Sequence, residues 1–422
     1  MSTMFSLLFF SLTSTALLHS TPSPSPNFDP PALYLTWQGD PTTTMTIQWI
    51  SRLNEKDDRI KFQRIGQDQW QEASAIHFQL PEKFPYLLHR IEIIGLLPGN
   101  AYRFQIGSNG PEYKFRTLPA TLAKPLSFVE GGDVFHDSVA DIKATNIQAA
   151  KQSPSFALLG GDLAYTAKKD SAIAEDGERW LTWLTVWKQT MVTPDGFLIP
   201  MITAIGNHDT RGRYFQTPDN ARFYYALFRT PGNQGYRTFD AGDYLAITIL
   251  DSGHTHPIDG KQTAWLEEAL KTRNSFLHQF ALYHVPAYPS VREQNTKMSP
   301  AIREHWVPLF DKYNLHAAFE HHDHAYKRTV LLKGGKEDPS GVLYIGDGGW
   351  GIEEGRNPRT TKAWYLAKIA PARHFILVTL DEDKKVFEAI DSKGVLIDSY
   401  TLRIPEMAKT TTKEKTNELI EK

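Results

Sequence analysis

The sequence predicts an α/β domain of packed β-sheets flanked by helices, preceded by an all-β sandwich domain. Two observations carry this. Between about Pro31 and Pro119, short β-branched and aromatic runs are divided by turn signals. Beyond "TLPATLAKP", apolar runs alternate with stretches of helical pattern, as in α/β folds. A length of 422 residues accommodates about two or three such domains.

The chain opens with an apolar run from Met4 to Leu18, followed by the small residue Ser20. This has the form of a secretory signal peptide over residues 1–20, although no Lys or Arg precedes the run. An uncleaved anchor is the alternative, but ~15 apolar residues are short for a full span. No later segment is long and apolar enough to cross a bilayer, so no stable transmembrane anchor is expected. The expected location is secreted, periplasmic or cell-surface. Residues 21–30, "TPSPSPNFDP", read as a Pro/Ser linker.

In the sandwich domain, residues 31–119, "TMTIQWIS" alternates and puts Met45, Ile47 and Trp49 on one side. "HRIEIIGL" and "AYRFQIG" are strands divided by the turn "LPGN", and "EYKFRTLP" closes the set. Tyr102, soon after Pro98-Gly99, is either a tyrosine corner or a plain core aromatic. In the α/β domain, residues 120–405, the strand runs include "LSFVE", "SFALL", "IPMITA", "YLAITIL", "FALYH", "LHAAFE" and "VLYIG". Helical patterns cover 137–152, 178–191, 262–273 and 300–313. Residues 374–404 read as two or three antiparallel strands, and 406–422 as a charged, disordered tail.

Composition narrows the chemistry. The net charge of -2 gives no reason to expect a polyanionic partner, so no nucleic acid is expected. There is no cysteine, so any metal must be held by nitrogen and oxygen. Polar residues follow the strand runs at once: Asp133 after "LSFVE", Asp162 and Tyr165 after "SFALL", and Asn207-His208-Asp209 after "IPMITA". "FALY" ends at His284, and "LHAAF" runs into "EHHDH" with His321, His322 and His324. In an α/β fold, ligands sit outside the carboxyl ends of the strands, so these five ends converge on one rim. Each motif alone could be a turn, a cap or a satisfied core histidine. Taken in order, they point to a metal site. Carboxylate and imidazole suit Zn, Mn and Fe. Seven donors exceed one four-coordinate site but serve two ions if one carboxylate bridges. Two ions ~3.5–4 Å apart are an established device for in-line phosphoryl displacement.

The ordered blocks "GGDVF", "GGDLAY", "GNHD", "ALYH" and "HHDH" resemble those of the purple acid phosphatases, within the calcineurin-like metallophosphoesterase superfamily. The likeness spans about residues 30 to 405. It implies a metallophosphoesterase β-sandwich flanked by helices, preceded by a fibronectin type III-like domain. It implies an acid phosphatase hydrolysing phosphomonoesters, with metal-bound hydroxide attacking phosphorus in line. Asp133, Asp162, Tyr165 and His324 would hold a first ion, Fe(III). Asp162, Asn207, His284 and His322 would hold a second, Fe, Zn or Mn. Asp162 would bridge. His208 would bind phosphate and protonate the leaving group, with Asp209 orienting it.

Asp133 is followed by Val134 and Phe135 rather than by a histidine two places on, and Tyr165 supplies a phenolate oxygen instead. His136 is a rival donor one residue out of register, and Tyr165 could simply pack. In an extended segment His322 and His324 would face the same way. Phe135 and His321 stand where the family usually has glycine, and "YPSVREQNTKMS" lacks the histidine pair of plant members. Arg292, Arg211 and Arg213 are the candidate substrate partners. "YIGDGGWGIEEG" lacks the Lys-Ser/Thr of a P-loop and reads as a strand end and turn near the site. A phosphodiesterase or nucleotide pyrophosphatase using the same ions, or an inactive cell-surface binding module, are the alternatives. The oligomeric state cannot be read from sequence.

Overall fold

The computed structural model describes residues 28–403, apart from 56, 137, 168–174, 230–233, 297 and 359–362. The expected signal peptide, most of the linker and the charged tail lie outside the described residues. Among the described residues, no helix is long and apolar enough to cross a membrane.

Two four-stranded antiparallel sheets make the N-terminal sandwich. One runs Ala32–Thr36, Met45–Arg52, Tyr86–Ile93, Ile76–Gln79, and the other Gln71–Ser74, Arg59–Arg64, Ala101–Ile106, Tyr113–Arg116. Met45, Ile47 and Trp49 fall on the sandwich core with Phe104 and Phe115. The opposite face of the first sheet is also buried, because Tyr34, Ile50 and Leu88 pack against Trp180, Trp183 and Phe228 of the following domain. Tyr102 proves to be a tyrosine corner: its hydroxyl accepts the Leu97 N–H at 2.8 Å while its ring stacks on Phe115.

The larger domain packs two sheets face to face. The six-stranded sheet runs Met201–Thr203, Ala157–Leu159, Leu126–Gly131, His374–Asp381, Lys384–Asp391, Leu396–Arg403. Its first three strands are parallel, and the other three are the antiparallel strands expected at the end of the sequence. The seven-stranded sheet runs Arg237–Ala241, Leu245–Ile249, His278–Leu282, Ala317–Glu320, Leu343–Gly346, Tyr326–Thr329, Leu366–Ala370. Between the sheets lies a phenylalanine layer. Phe128 stacks on Phe156 at 4.8 Å and meets Phe319 edge-on at 6.2 Å, and Phe280 adjoins Phe319 at 5.4 Å. Such pairs contribute about 0.5–1.5 kcal/mol beyond area burial.

Helices cover the outer faces. Val139–Lys151, capped by Ser138, and Gly177–Thr190, capped by Asp176, pack on the first sheet through Ile142, Trp183 and Trp187. Lys261–Thr272 covers the second sheet through Leu266 and Leu270. The single helix expected over 300–313 is two, Met298–His305 and Val307–Lys312. Pro308 accounts for the break, since it has no N–H to continue the ladder. Arg222–Leu227 is a short helix that the sequence pattern does not announce.

The carboxyl ends of the three parallel strands in one sheet meet those of His278–Leu282 and Ala317–Glu320 in the other, and His321 locks the junction. It is fully buried. Its Nδ1 donates to the Tyr283 carbonyl at 2.9 Å, and its Nε2 pairs with Glu130. A Cβ on Gly160 would fall 1.8 Å from its Cε1, and one on Gly132 2.5 Å from its Cδ2. The imidazole occupies space that two glycines leave open, which accounts for a bulky residue at this position. Gly160→Ala should therefore cost about 1–3 kcal/mol by overpacking. In a double-mutant cycle with His321→Ala, urea unfolding should give coupling of at least ~1 kcal/mol, because removing the ring makes room for the methyl. Additive costs would show that the two positions do not compete for space.

Candidate metal centre

Strand ends from both sheets deliver the polar side chains to one concave rim. All seven expected ligands meet there, in two neighbouring groups. In the first, the Tyr165 hydroxyl lies 2.5 Å from Asp133 Oδ1 and 3.1 Å from His324 Nε2, which is itself 2.9 Å from Asp133 Oδ1. In the second, His284 Nε2 lies 3.2 Å from Asp162 Oδ2, 3.1 Å from Asn207 Oδ1 and 3.1 Å from His322 Nδ1. Asp162, His284 and His322 form a set whose donor atoms can meet on one ion.

The second group has an excess of lone pairs. His284 Nδ1 donates to the Gly160 carbonyl at 2.9 Å, which fixes its proton there and turns the Nε2 lone pair inward. That lone pair faces a carboxylate oxygen, an amide oxygen and another imidazole nitrogen. Asp162 Oδ2 is buried without a hydrogen-bond partner. Only a proton or a cation at this point relieves the repulsion. The electrostatics show the same need. Burial pulls the His284 imidazole down, but Asp162 and Asp133 outweigh it and hold the ring at about 9. Burial likewise pushes both carboxyls up, and the facing histidines reverse the sign: Asp133 is held well below the usual range by His324 and His284, and Asp162 by His284 and His208. For Tyr165, burial and then Asp133 and Asp162 raise the phenol well above its ordinary value, so a cation is needed to make it a phenolate ligand. The donor set, N and O only, fits hard to borderline metals.

Backbone strain gathers at the same residues. Asp133, Asp162, Tyr165, His322 and His324 all have positive φ, between 52° and 80°. Each costs about 1–2 kcal/mol for a residue with a Cβ, and such strain clusters at functional sites. This corrects the alternate-facing argument for the histidine pair. The strand stops at Glu320, and His322 and His324 converge from a left-handed loop rather than from an extended segment. Gly348 makes the close approach possible, since a Cβ there would lie 1.9 Å from Asp133 Oδ2. The "GDGGWG" stretch thus does border the site.

The remaining expected residues divide. The His208 ring stacks on Tyr165 at 4.6 Å, and its backbone N–H donates to Asp162 Oδ1 at 2.6 Å. Its Nδ1 donates to the Ala167 carbonyl at 2.9 Å, leaving Nε2 as the reactive ring atom. Asp209 does not orient it. The Asp209 carboxylate accepts the N–H groups of Leu163, at 2.9 Å, and Gly206, at 3.0 Å, so it joins the two loops that carry Asp162 and Asn207. Arg292 lies beside the site, with Nη1 2.7 Å from Asp323 Oδ1 and bonded to the His322 carbonyl, so it braces the histidine loop. Arg211 points elsewhere, its Nη2 reaching the Asp219 carbonyl at 3.4 Å. The carbonyl of Arg213 accepts from His254 Nδ1. His136 meets the rings of Tyr165 and His324 edge-on at 4.7 and 4.8 Å, as a neighbour in the outer rim.

Two residues beside the donors went unremarked in the sequence. Tyr214 places its hydroxyl 3.3 Å from both Asn207 Oδ1 and His322 Nε2. His254 packs between Tyr214 and His284. A signal was present: the run "YLAITIL" is followed by Asp251-Ser252-Gly253-His254, another strand end with a polar set and a glycine.

Comparison with known proteins agrees with this geometry. Residues 30–117 match the family described as purple acid phosphatase, N-terminal domain. Purple acid phosphatase 18 of Arabidopsis thaliana is 25% identical over 338 residues, covering 76% of this chain and 71% of that protein. Acid phosphatase type 7 of Mus musculus is 23% identical over 390 residues, covering 82% of this chain and 83% of the relative. The solved purple acid phosphatase PPD1 of yellow lupin (Lupinus luteus) superposes with a TM-score of 0.72 at 16% identity, covering 90% of this chain and 75% of that one. The chain thus carries the N-terminal domain of the purple acid phosphatases and resembles that family over most of its length, and these relatives support a phosphoesterase enzyme.

Proposed function

We propose that the protein is an exported acid phosphatase that hydrolyses phosphomonoesters at a two-ion centre. The observation that carries this reading is the convergence of seven nitrogen and oxygen donors in two neighbouring groups, one about Asp133 and one about His284, in an arrangement that favours positive charge. Asp133, Asp162, Tyr165 and His324 hold the first ion, assigned as Fe(III) on its phenolate oxygen. Asp162, Asn207, His284 and His322 hold the second, Fe, Zn or Mn. When bound, the two ions supply Lewis-acid stabilisation of the phosphoryl oxygens and activation of water for in-line displacement.

The chain's own residues set the rest. His284 presents a lone pair because Gly160 holds its other proton. His208 is fixed in ring plane by Tyr165 and in tautomer by Ala167, so Nε2 can carry a proton to the leaving alcohol oxygen. Asp209 maintains the spacing between the Asp162 and Asn207 loops. Tyr214 lies within reach of a substrate oxygen at the second group. The apolar run at Met4 to Leu18 supports export.

Three outcomes follow. His208→Ala should keep its metal content and lose about 10²- to 10⁴-fold in kcat, the usual worth of a general acid; an unchanged rate would remove that role. Tyr165→Phe should lose the visible tyrosinate-to-iron absorption band, whereas a band that survives would assign the first site to other donors. Monoester turnover on p-nitrophenyl phosphate should exceed diester turnover on bis(p-nitrophenyl) phosphate. Faster diester hydrolysis would overturn the substrate class while leaving the metal centre intact.

A further inference from the structure

A second set of metal-type donors stands in the N-terminal sandwich. Asp58, His77 and His89 bring ligand atoms within 4.8 Å of one another. His77 and His89 are cross-strand partners, on Ile76–Gln79 and Tyr86–Ile93, with ring centroids 5.3 Å apart. Asp58 comes from the other sheet, immediately before Arg59–Arg64. Its Oδ2 lies 2.6 Å from His77 Nδ1 and its Oδ1 2.6 Å from His89 Nδ1.

The hydrogen-bond arithmetic at His89 is the informative part. The Ser51 hydroxyl has one proton, and the Glu55 carbonyl at 2.7 Å takes it. Ser51 Oγ also lies 2.7 Å from His89 Nε2, so it can only accept there, and Nε2 must carry the ring proton. In a neutral ring, the Nδ1 lone pair then faces a carboxylate oxygen at hydrogen-bond distance. A second proton reconciles them at this 2.6 Å distance, and a cation does so once the two atoms part by a few tenths of an ångström to bind it at about 2 Å each. The His89 side chain is fully buried, its ring stacked on Trp49 at 4.9 Å and 6°, and burial disfavours imidazolium more than the Asp58 carboxylate favours it. A fixed tautomer, a lone pair aimed at a carboxylate and a second imidazole on the same carboxylate are the features of a histidine-rich metal site. His77 and Asp58 are partly exposed, with side-chain exposures of 30% and 25%, so the position is open to solvent.

We propose that Asp58, His77 and His89 bind one divalent cation of the zinc class, separate from the phosphoesterase centre. Two imidazoles and a carboxylate, with a fourth position left to water, match that ion's preferences. Bound there, it ties the edge strand Ile76–Gln79 to the chain entering the opposite sheet, joining the two layers of the sandwich. This inference does not depend on the substrate or mechanism proposed above.

The test uses the full chain, loaded with Zn²⁺ and desalted, with metal counted by mass spectrometry. His77→Ala and Asp58→Asn should each hold one equivalent fewer than the unaltered protein, keep its phosphatase rate, and lose part of the rise in Tm that added Zn²⁺ produces. A crystal soaked in Zn²⁺ should show an anomalous peak between the three side chains. An unchanged ion count in both variants, or an anomalous map empty at that point, would overturn the proposal and leave a proton-bridged His89–Asp58 pair.

Discussion

The active rim depends on lone pairs facing one another. Strand ends from two sheets aim carboxylate, amide, phenol and imidazole groups at a common point, and His284 offers its lone pair to three of them within 3.2 Å. In water such groups would separate; here they are held by the backbone. The phenylalanine layer fixes the two sheets against each other, and His321, between Gly132 and Gly160, fixes their edges. Five donor residues accept left-handed backbone as a consequence. The fold thus holds backbone strain at these residues together with a lone-pair repulsion that a positive charge would relieve.

Behind the rim a further polar layer holds the loops. Glu320 accepts from Tyr283 at 2.6 Å and from the Ala287 N–H at 2.6 Å, and pairs with the buried Lys327. Asp323 accepts the N–H groups of Ser290, at 2.7 Å, and Val291, at 2.8 Å. The crowded run "EHHDH" therefore serves two layers. His322 and His324 face the rim, while Glu320 and Asp323 hold the loop after His284 in place from behind. A buried charge left unpaired is costly, so removal of either acid would disturb the histidine loop without touching the rim itself.

Much of this was legible because the signals were local. Strand runs ending in glycine and a polar residue marked the rim, and the alternation around Trp49 marked the sandwich core. The errors came from information held far away in sequence. The partners that account for His321, Glu130 and Gly160, are 191 and 161 residues earlier, so nothing near it explains a buried imidazole. Asp209 next to His208 suggested a pair, yet its carboxylate turns to Leu163, 46 residues away. The histidine pair converges as expected but by a different route, since periodicity assumes extended backbone and the chain leaves it at Glu320. Arg211, a candidate substrate partner by sequence, turns its guanidinium to a local carbonyl.

The N-terminal domain holds a comparable arrangement, where motif order gives no warning. Asp58, His77 and His89 lie in no ordered block, and only strand pairing brings His77 opposite His89. What links the two places is the fate of one proton. At His284 a main-chain carbonyl fixes it on Nδ1; at His89 a serine that has already spent its own hydrogen fixes it on Nε2. In each case the other ring nitrogen is turned onto a carboxylate and must be reconciled with it by positive charge. A proton suffices where the ring can afford to be cationic. Where the ring is buried and a second imidazole reaches the same carboxylate, a divalent cation neutralises more lone pairs in less space, and the sandwich gains a cross-link between its sheets.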